Sequence, residues 1–422
     1  MPDLSAVLCP PYDVISPAER ERLAARDPRN AVHVELPVGD SMAALSPYEA
    51  AATTFAAWLA DGTLRRDDDP LIYVYEQRYS GADGSELAAR GFFCRLTLES
   101  YGPGSGVRAH ESTMGGPRED RFRLMSAVAA NLSPVLFLFD DHQHGATADQ
   151  LMQSITAAEP QVQAIGPGGL INRLWLADPS QSDAARELLR IAGGAPVTIA
   201  DGHHRYETAL RYRDTVGPPT ATHVLALMFE AHTGGLALLP WHRLLAGVGG
   251  AELLAAAADW FAITPVADAR QLVADLGGIG VGFTAADSPQ EFGLWTRAGG
   301  ALLTVDRARV ERVLPPSASE TLRWLDVSVL SSTLSQMTGS TSEALAADGR
   351  LSYLSSAIDA VAEVEAGRTD AAFLLRSTPI EEVLAVAEAG EHMPAKSTFF
   401  HPKAATGIVF NPLTDAATPG SP

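Results

Sequence analysis

The sequence predicts a mixed α/β protein with more than one domain. Short apolar, β-branched runs alternate along the chain with segments whose apolar residues recur every three or four positions, as in strands alternating with helices. The chain has 422 residues, of which 46% are hydrophobic. At about 100 to 200 residues per domain, this length favours two to four domains. We predict a first domain over 1–247, a second α/β domain over 248–414 and a tail over 415–422.

The first half of the chain carries clear helix starts and strand patterns. Ser16 stands directly before Pro17 and three residues before Glu19, which predicts a helix with Ser16 as its N-cap. Residues 46–59 repeat this start and continue with helical apolar spacing. Strands are predicted from β-branched and aromatic runs, at 31–36, 71–77, 91–98, 132–139 and 170–176, and as a further pair at 222–229 and 235–239.

The second half shows shorter, repeated α/β units. Asp268 is the expected cap of one of its helices. The predicted helices cover 251–261, 268–276, 326–334, 354–365 and 380–389. The predicted strands cover 279–283, 292–295, 301–305 and 371–375.

Composition excludes several classes of partner. The 51 acidic residues outnumber the 31 basic ones, for a formal charge of −20, which disfavours a protein that coats nucleic acid. Two cysteines cannot form a disulfide framework, and no segment approaches the ~18 to 20 apolar residues of a membrane span. We therefore expect a cytoplasmic protein with neither a nucleic acid nor a membrane as partner.

Lysine is unusually rare in this sequence. Lys396 and Lys403 are the only lysines among the 31 basic residues, and they lie seven positions apart. The lysine ammonium is a compact point charge that binds phosphate, and the planar guanidinium of arginine does not reproduce it. Their closeness predicts a shared function, although coincidence in an arginine-rich chain explains it equally well.

The strongest local signal lies at 196–210, where a β-branched run leads through Asp201 and Gly202 into a helical pattern. Such a strand–turn–helix exposes free backbone N–H groups at the first helical turn, and the helix dipole favours an anion there. His203, His204 and Arg205 add side-chain donors. Asp201 is placed to hold Mg²⁺ or to accept a proton. The alternative is that Asp201 only caps the helix and Arg205 pairs with a surface carboxylate.

Four ordered motifs resemble a known family. They are PPYDVIS at 10–16, HE at 110–111 with GPREDR at 116–121, ADGHHRY at 200–206, and MPAKSTFFHPK at 393–403. Together they identify the chain as a member of a large uncharacterised bacterial family, domain of unknown function number one thousand and fifteen.

The DGHHR turn at 201–205 is also similar to the phosphate-binding turn of the ParB and sulfiredoxin superfamily, which includes free serine kinases. That resemblance implies a ParB/sulfiredoxin-like phosphate-binding core and transfer of a phosphoryl group to free L-serine from ATP, ADP or pyrophosphate. The chain departs from sulfiredoxin because the turn has no cysteine. It departs from ParB partition proteins because it lacks a basic DNA-binding region.

The middle segment, which is glycine-rich at 101–106 and densely charged at 118–123, predicts a loop over a bound phosphate. Arg118, Arg121 or Arg123 would neutralise the phosphate, and Glu111 or Asp120 would handle a metal or a proton. A solvated, mobile loop is the alternative.

The two terminal motifs allow two interpretations each. Asp13, after two prolines, either faces a ligand or belongs to a rigid chain reversal. If Lys396 leads into the site, the end of the second domain packs against the Asp201 turn and one lysine meets the transferred phosphate. A β-hairpin wall with exposed lysines is the alternative for that segment.

The prediction that follows is a small-molecule kinase that uses Mg²⁺ and phosphorylates a hydroxyl, that of free L-serine above all. A nucleotide-binding switch without turnover and a non-enzymatic interaction protein are the alternatives, and a homodimer is one option for its oligomeric state. The predicted catalytic residues are Asp201, His204, Glu111 and Lys396. The predicted phosphate-donor ligands are Gly202, His203, His204, Arg205, Arg118, Arg121 and Lys403. The predicted Mg²⁺ ligands are Asp201 and Asp120.

Overall fold

The protein has the mixed α/β architecture that the sequence predicts. The computed structural model describes residues 4–40, 42–81, 84–102, 104–112, 115–141, 147–276 and 289–414. The helices are α1 (Pro17–Arg26), α2 (Val32–Glu35), α3 (Pro47–Ala60), α4 (Gly115–Val128), α5 (Thr147–Thr156), α6 (Asp183–Ala192), α7 (His203–Thr215), α8 (Gly250–Ala257), α9 (Ala269–Asp275), α10 (Arg307–Val310), α11 (Glu320–Trp324), α12 (Asp326–Thr338), α13 (Ser342–Ala347), α14 (Ala357–Glu365) and α15 (Ile380–Glu388).

The strands alternate with these helices throughout the described ranges. They are β1 (Ile72–Ser80), β2 (Glu86–Thr97), β3 (Val107–Arg108), β4 (Ala130–Asn131), β5 (Val135–Phe139), β6 (Val162–Ile165), β7 (Ile171–Ala177), β8 (Val197–Asp201), β9 (His223–Glu230), β10 (Ala237–Leu239), β11 (His242–Leu245), β12 (Phe261–Val266), β13 (Glu291–Thr296), β14 (Gly299–Val305), β15 (Leu351–Leu354), β16 (Ala371–Leu374), β17 (Phe399–His401) and β18 (Asn411–Pro412).

An eight-stranded sheet in the order β3-β8-β5-β9-β2-β1-β7-β6 occupies the first half of the chain. Its central strands are apolar on both faces; β5 is buried along its whole length and β9 along all but its first residue. Most neighbours are antiparallel, but β3 runs parallel to β8, and β5 runs parallel to β9. Carboxyl ends of parallel neighbours lie at the same sheet edge, where ligands bind in open α/β sheets.

A six-stranded sheet in the order β12-β14-β13-β16-β11-β15 occupies the second half. Leu294, Leu303 and Phe373 are fully buried in its core. Its strand β11 precedes the boundary predicted at 247, and the division of the chain into domains stays a prediction.

The end of the chain returns to the first half. Strand β17 pairs with β10, and β18 pairs with β4. A backbone bridge also joins Cys9 to Thr406. These pairings bring the lysine-containing segment against the eight-stranded sheet.

Sequence patterns located most elements because their signals are local. Ser16 caps α1 by accepting from Glu19 N, Ser46 and Glu49 form a full capping box on α3, and Asp268 caps α9. The predicted pairing of the strands near 71–77 and 91–98 is confirmed by the antiparallel β1–β2 register.

Some element predictions were wrong for tertiary reasons. The segment predicted as a strand at 31–36 contains the short helix α2 (Val32–Glu35), because the Asn30 side chain accepts from Val32 N and starts a turn. Strand β10 pairs with β17 rather than with β9, since both edges of β9 are occupied by β2 and β5. Residues 115–128 form α4 rather than a loop over a ligand, and α4 packs on α3 and α7. The predicted strand at 279–283 lies outside the described residues.

Two composition-based observations have structural counterparts. Both cysteines, Cys9 and Cys94, are free thiols. In the described ranges, none of the helices combines the length and the apolar character that crossing a bilayer requires.

Candidate functional site

The turn between β8 and α7 has the predicted strand–turn–helix geometry. Gly202 is the N-cap of α7 and takes left-handed angles, φ 94° and ψ 29°, which glycine adopts without the penalty of a Cβ. The first intrahelical bond runs from Tyr206 N to Gly202 O at 3.0 Å. Gly202 has no side chain with which to cap this terminus. The partial positive charge of such a helix N-terminus favours an anion near its first turn.

We expect Gly202→Ala to destabilise the protein more than a left-handed backbone alone explains. A Cβ at Gly202 would stand 2.9 Å from the guanidinium of Arg205, so the substitution both strains the backbone, at about 1 to 3 kcal/mol, and displaces Arg205. Gly339→Ala is the matched control, since Gly339 has φ 69° and nothing within 4 Å of the added atom. Urea unfolding of both variants measures the difference. Equal losses would show that Arg205 accommodates the methyl group.

Asp201 lies between two cations at this turn. Arg205 donates to its Oδ2 at 2.6 Å, and Lys403 Nζ donates to its Oδ1. The side chain of Asp201 is 17% exposed, that of Arg205 is 11% exposed and that of Lys403 is 13% exposed. Burial raises the pKa of Asp201, but the charges of Lys403 and Arg205 outweigh it and lower the pKa to about 2. The triad thus carries one net positive charge over the usual pH range.

His110 and His203 form a buried, neutral pair beside the triad. His110 Nδ1 lies 2.7 Å from Ile199 O, to which it donates, and Nε2 lies 3.1 Å from Thr398 Oγ1. The ring centroids of the two histidines are 4.7 Å apart. Burial lowers the pKa of His110 to about 4 and lowers that of His203 well below its usual value. His203 Nε2 is shielded from solvent and has no hydrogen-bond partner among the described residues, so its hydrogen-bonding capacity is unmet.

We expect acid to destabilise the protein through these histidines between pH 6.5 and 4. Their folded pKa values lie below those of the unfolded chain, so the unfolded state takes up protons that the folded state excludes, and stability falls as the pH falls. For His110 the loss approaches about 3 kcal/mol. Urea unfolding at pH 7 and pH 5 should show a smaller difference for His110→Asn than for the wild type. His33 on α2 provides the control, His33→Asn; an unchanged pH dependence in His110→Asn would contradict the assignment.

Glu111 follows β3 and reaches the same sheet edge as Gly202, because β3 and β8 are parallel. Its Oε1 accepts from Lys396 N at 3.3 Å. Burial raises the pKa of Glu111; the charge of Asp201 adds to this rise, and Lys396 and Lys403 oppose it. A half-buried carboxylate with a raised pKa next to cations is suited to accept a proton.

The two lysines have different surroundings. Lys403 follows β17 and meets Asp201, whereas the Lys396 ammonium lies 4.8 Å from the centroid of the Trp241 ring. Trp241 is held in turn by a 3.0 Å bond from Nε1 to Thr398 O. Lys396 contributes its backbone N–H to the site, and Lys403 contributes its side-chain charge.

The charged residues of α4 are engaged elsewhere. Arg118 donates to Glu207 at 2.7 Å. Arg121 donates to Glu35 O at 2.7 Å and to Asp120 at 2.6 Å. These arginines are arranged differently from those of the predicted loop, because α4 directs their side chains to partners on α2 and α7.

Two further predicted residues lie at the rim of the turn. His204 is half-buried, and burial lowers its pKa. Asp13 is exposed in a 3-10 turn over Tyr12–Val14, and its charge acts on Arg205 and His204.

The carboxylates predicted to hold Mg²⁺ do not fit that ion in this conformation. Both oxygens of Asp201 accept from cations. One oxygen of Asp120 accepts from Tyr48 at 3.0 Å and the other accepts from Arg121. A hard divalent cation needs carboxylate oxygens that no ammonium or guanidinium already occupies.

A small cavity of about 40 Å³ is lined in part by Arg205. Arg121 and the buried Glu35 also line it, and Ser133 donates to Glu35 Oε1 at 3.0 Å. Glu35 is not among the residues predicted from the sequence, because it stands in an apolar run that is typical of a strand. A single acidic residue inside such a run is the signal that could have identified it.

Comparison with known proteins gave a family and several structural relatives. The model of the family described as "protein of unknown function (DUF1015)" matches residues 1–328. A search of the curated proteins found no match. A conserved hypothetical protein from Pyrococcus furiosus is 15% identical, with 74% of this chain and 90% of that chain covered and a TM-score of 0.36.

Two other solved structures are similar over comparable lengths. A mutant of free serine kinase in complex with ADP is 11% identical, with 74% of this chain and 87% of that chain covered and a TM-score of 0.38. C-terminally truncated SbnI from Staphylococcus aureus is 12% identical, with 74% of this chain and 85% of that chain covered and a TM-score of 0.37.

Proposed function

The chain belongs to the DUF1015 family of proteins of unknown function, and we propose that this member transfers a phosphoryl group to the hydroxyl of a small molecule. The resemblance of the DGHHR turn suggests free L-serine as the substrate and ATP, ADP or pyrophosphate as the donor. One observation carries the proposal: Asp201 is held between Arg205 and Lys403 at the N-terminus of α7, with Glu111 at the same sheet edge.

The turn supplies the charge that a phosphate needs. Arg205 and Lys403 outnumber Asp201 in the partly buried triad, and the N-terminus of α7 adds partial positive charge. Phosphoryl transfer requires mainly positioning and charge compensation on the transferred oxygens. In this proposal Arg205 and Lys403 bind the donor phosphates, and the backbone at Gly202 allows them to approach closely.

The two carboxylates of the site have separate roles. The pKa of Asp201 is lowered to about 2, so Asp201 stays ionised and anchors the cations rather than accepting a proton. The pKa of Glu111 is raised, which suits a general base. Glu111 takes the proton from the substrate hydroxyl as the new O–P bond forms, while the bond between phosphorus and the donor's bridging oxygen breaks and the shortened donor leaves.

The neutral histidines orient ligands without adding charge. His110 is fixed by Ile199 O and Thr398 and supports the ring of His203. His203 Nε2 is buried without a partner among the described residues, and in this proposal it makes one hydrogen bond to a phosphate or to the substrate once that group enters the site. Such a bond positions a group in the site and leaves its net charge unchanged.

The direct test is to incubate the pure protein with serine, Mg²⁺ and each donor in turn and to measure phosphoserine by mass spectrometry. Product with one donor supports the proposal, and threonine, the other amino acid with an aliphatic hydroxyl, tests its selectivity. Nucleotide binding by calorimetry without any phosphorylated product would replace the kinase with a nucleotide-binding switch. Absence of both binding and product would remove both proposals.

A further inference from the structure

We propose that Asp140, Glu230 and His232 form a binding site for a first-row divalent metal ion, either Zn²⁺ or Mn²⁺. One ligand atom from each side chain lies within 4.8 Å of the ligand atoms of the other two. Tetrahedral ligands about 2.1 Å from one ion stand roughly 3.4 Å apart. Small side-chain rotations therefore bring the three atoms to coordination distance.

The topology of the sheet creates this cluster. Strands β5 and β9 are parallel neighbours with Phe139 opposite Glu230, so Asp140, which follows β5, and His232, which follows β9, emerge at the same edge. Asp201 stands opposite Leu136, near the other end of β5. At about 3.3 Å per residue, the four steps from Leu136 to Asp140 separate the two sites by roughly 13 Å. The proposed metal site is thus distinct from the phosphate-binding turn.

Glu230 gives the second, independent indication of a ligand. Its side chain is buried, with 5% exposure. Oε2 accepts from His232 N and Thr233 Oγ1, each at 2.8 Å. Oε1 is shielded from solvent and has no hydrogen-bond partner among the described residues. A buried carboxylate oxygen without a partner is costly, and a bound cation removes that cost.

His232 has the arrangement of a metal ligand with an outer carboxylate. Its Nε2 lies 3.8 Å from Asp140 Oδ2, and its Nδ1 lies 3.7 Å from Glu381 Oε1 on α15. Histidines that bind metals through one ring nitrogen usually present the other to a carboxylate, which fixes the tautomer. Glu381 takes that outer position here.

The ligand set indicates the class of ion. Imidazole suits Zn²⁺ and other later transition metals, whereas carboxylates suit Mn²⁺ as well as Mg²⁺ and Ca²⁺. One imidazole with two carboxylates therefore favours Zn²⁺ or Mn²⁺ over Mg²⁺ and Ca²⁺. The competing explanation is that His232 bridges Asp140 and Glu381 without any metal.

The test uses the full-length protein after chelator treatment and buffer exchange. Calorimetric titration with Zn²⁺, and separately with Mn²⁺, should show one equivalent bound for at least one ion, together with a higher melting temperature. His232→Ala and Glu230→Gln should each weaken binding by at least tenfold, and Glu381→Gln by about 10- to 100-fold. His223→Ala is the matched control, because His223 begins the same strand whose end carries Glu230.

Three results would overturn this proposal. The first is that neither Zn²⁺ nor Mn²⁺ binds stoichiometrically. The second is that His232→Ala and Glu230→Gln bind the ion as tightly as the wild type does. The third is that Asp201→Asn alone abolishes binding, which would place the ion at the turn. Since Glu230 is buried, circular dichroism is used to check that Glu230→Gln folds. If that variant does not fold, His232→Ala still tests the metal site, because His232 is more exposed. The proposed phosphotransferase activity is not needed for any of these measurements.

Discussion

Replacing Glu111 with glutamine should lower kcat for phosphoserine formation by roughly 10²- to 10⁴-fold, the usual contribution of a general base. Glutamine keeps the shape of the side chain and can still accept from Lys396 N, which now bonds Glu111 Oε1 at 3.3 Å. It cannot take the proton of the hydroxyl. We therefore expect kcat to fall while KM changes little.

The pH dependence and stability of this variant separate catalysis from folding. Activity of the wild type should fall on acidification as Glu111 becomes protonated, and the remaining activity of Glu111→Gln should lose that limb. Because the folded pKa of Glu111 is raised, its ionisation costs stability once the pH exceeds the pKa of the unfolded chain. The variant should therefore unfold at the same urea concentration as the wild type at pH 7, or at a higher one.

Steady-state kinetics with mass-spectrometric detection provides the measurement. Glu388→Gln is the control, because Glu388 is an exposed glutamate paired with Arg108. A Glu111→Gln enzyme with wild-type kcat would show that another group, or water, accepts the proton.

The second large effect is expected from Lys403 rather than from Lys396. Lys403→Met removes a buried charge that contacts Asp201, and we expect kcat/KM to fall by about 10²- to 10³-fold, as for loss of one donor that stabilises transition-state charge. Lys396→Met should cost less than about tenfold, since its ammonium faces Trp241 and its backbone N–H, which holds Glu111, is unchanged.

The same pair of variants has a structural readout. In Lys403→Met, Asp201 keeps only Arg205 as its cationic partner, so its pKa should rise from about 2. In the wild type, the ionised Asp201 stabilises the folded state above the unfolded pKa near 4, and this stabilisation is lost as the pH falls toward 2. The variant should lose it at a higher pH. Acid titrations followed by circular dichroism measure the midpoints. Equal midpoints and equal kcat/KM in the two lysine variants would contradict the assignment.

Local signals in the sequence predicted much of this architecture. Ser16 and Ser46 mark helix starts because a cap depends on residues three positions apart. The turn at Gly202 was predicted for the same reason: a β-branched run, a glycine and a helical pattern lie within a few residues of one another. The apolar run that contains Glu35 shows the limit of such reasoning, since the same residues fit a strand until a turn at Asn30 starts a helix.

By itself, the sequence determined the mixed α/β class, the strand–turn–helix at Asp201, and the membership in a family that its four motifs indicate. Only the tertiary structure decided that Lys403 meets Asp201, that Glu111 lies at the same sheet edge, and that the arginines of α4 turn to other partners. These contacts join residues as far as 202 positions apart. Their geometry, burial and pKa values depend on how strands pair and helices pack, which no local pattern encodes.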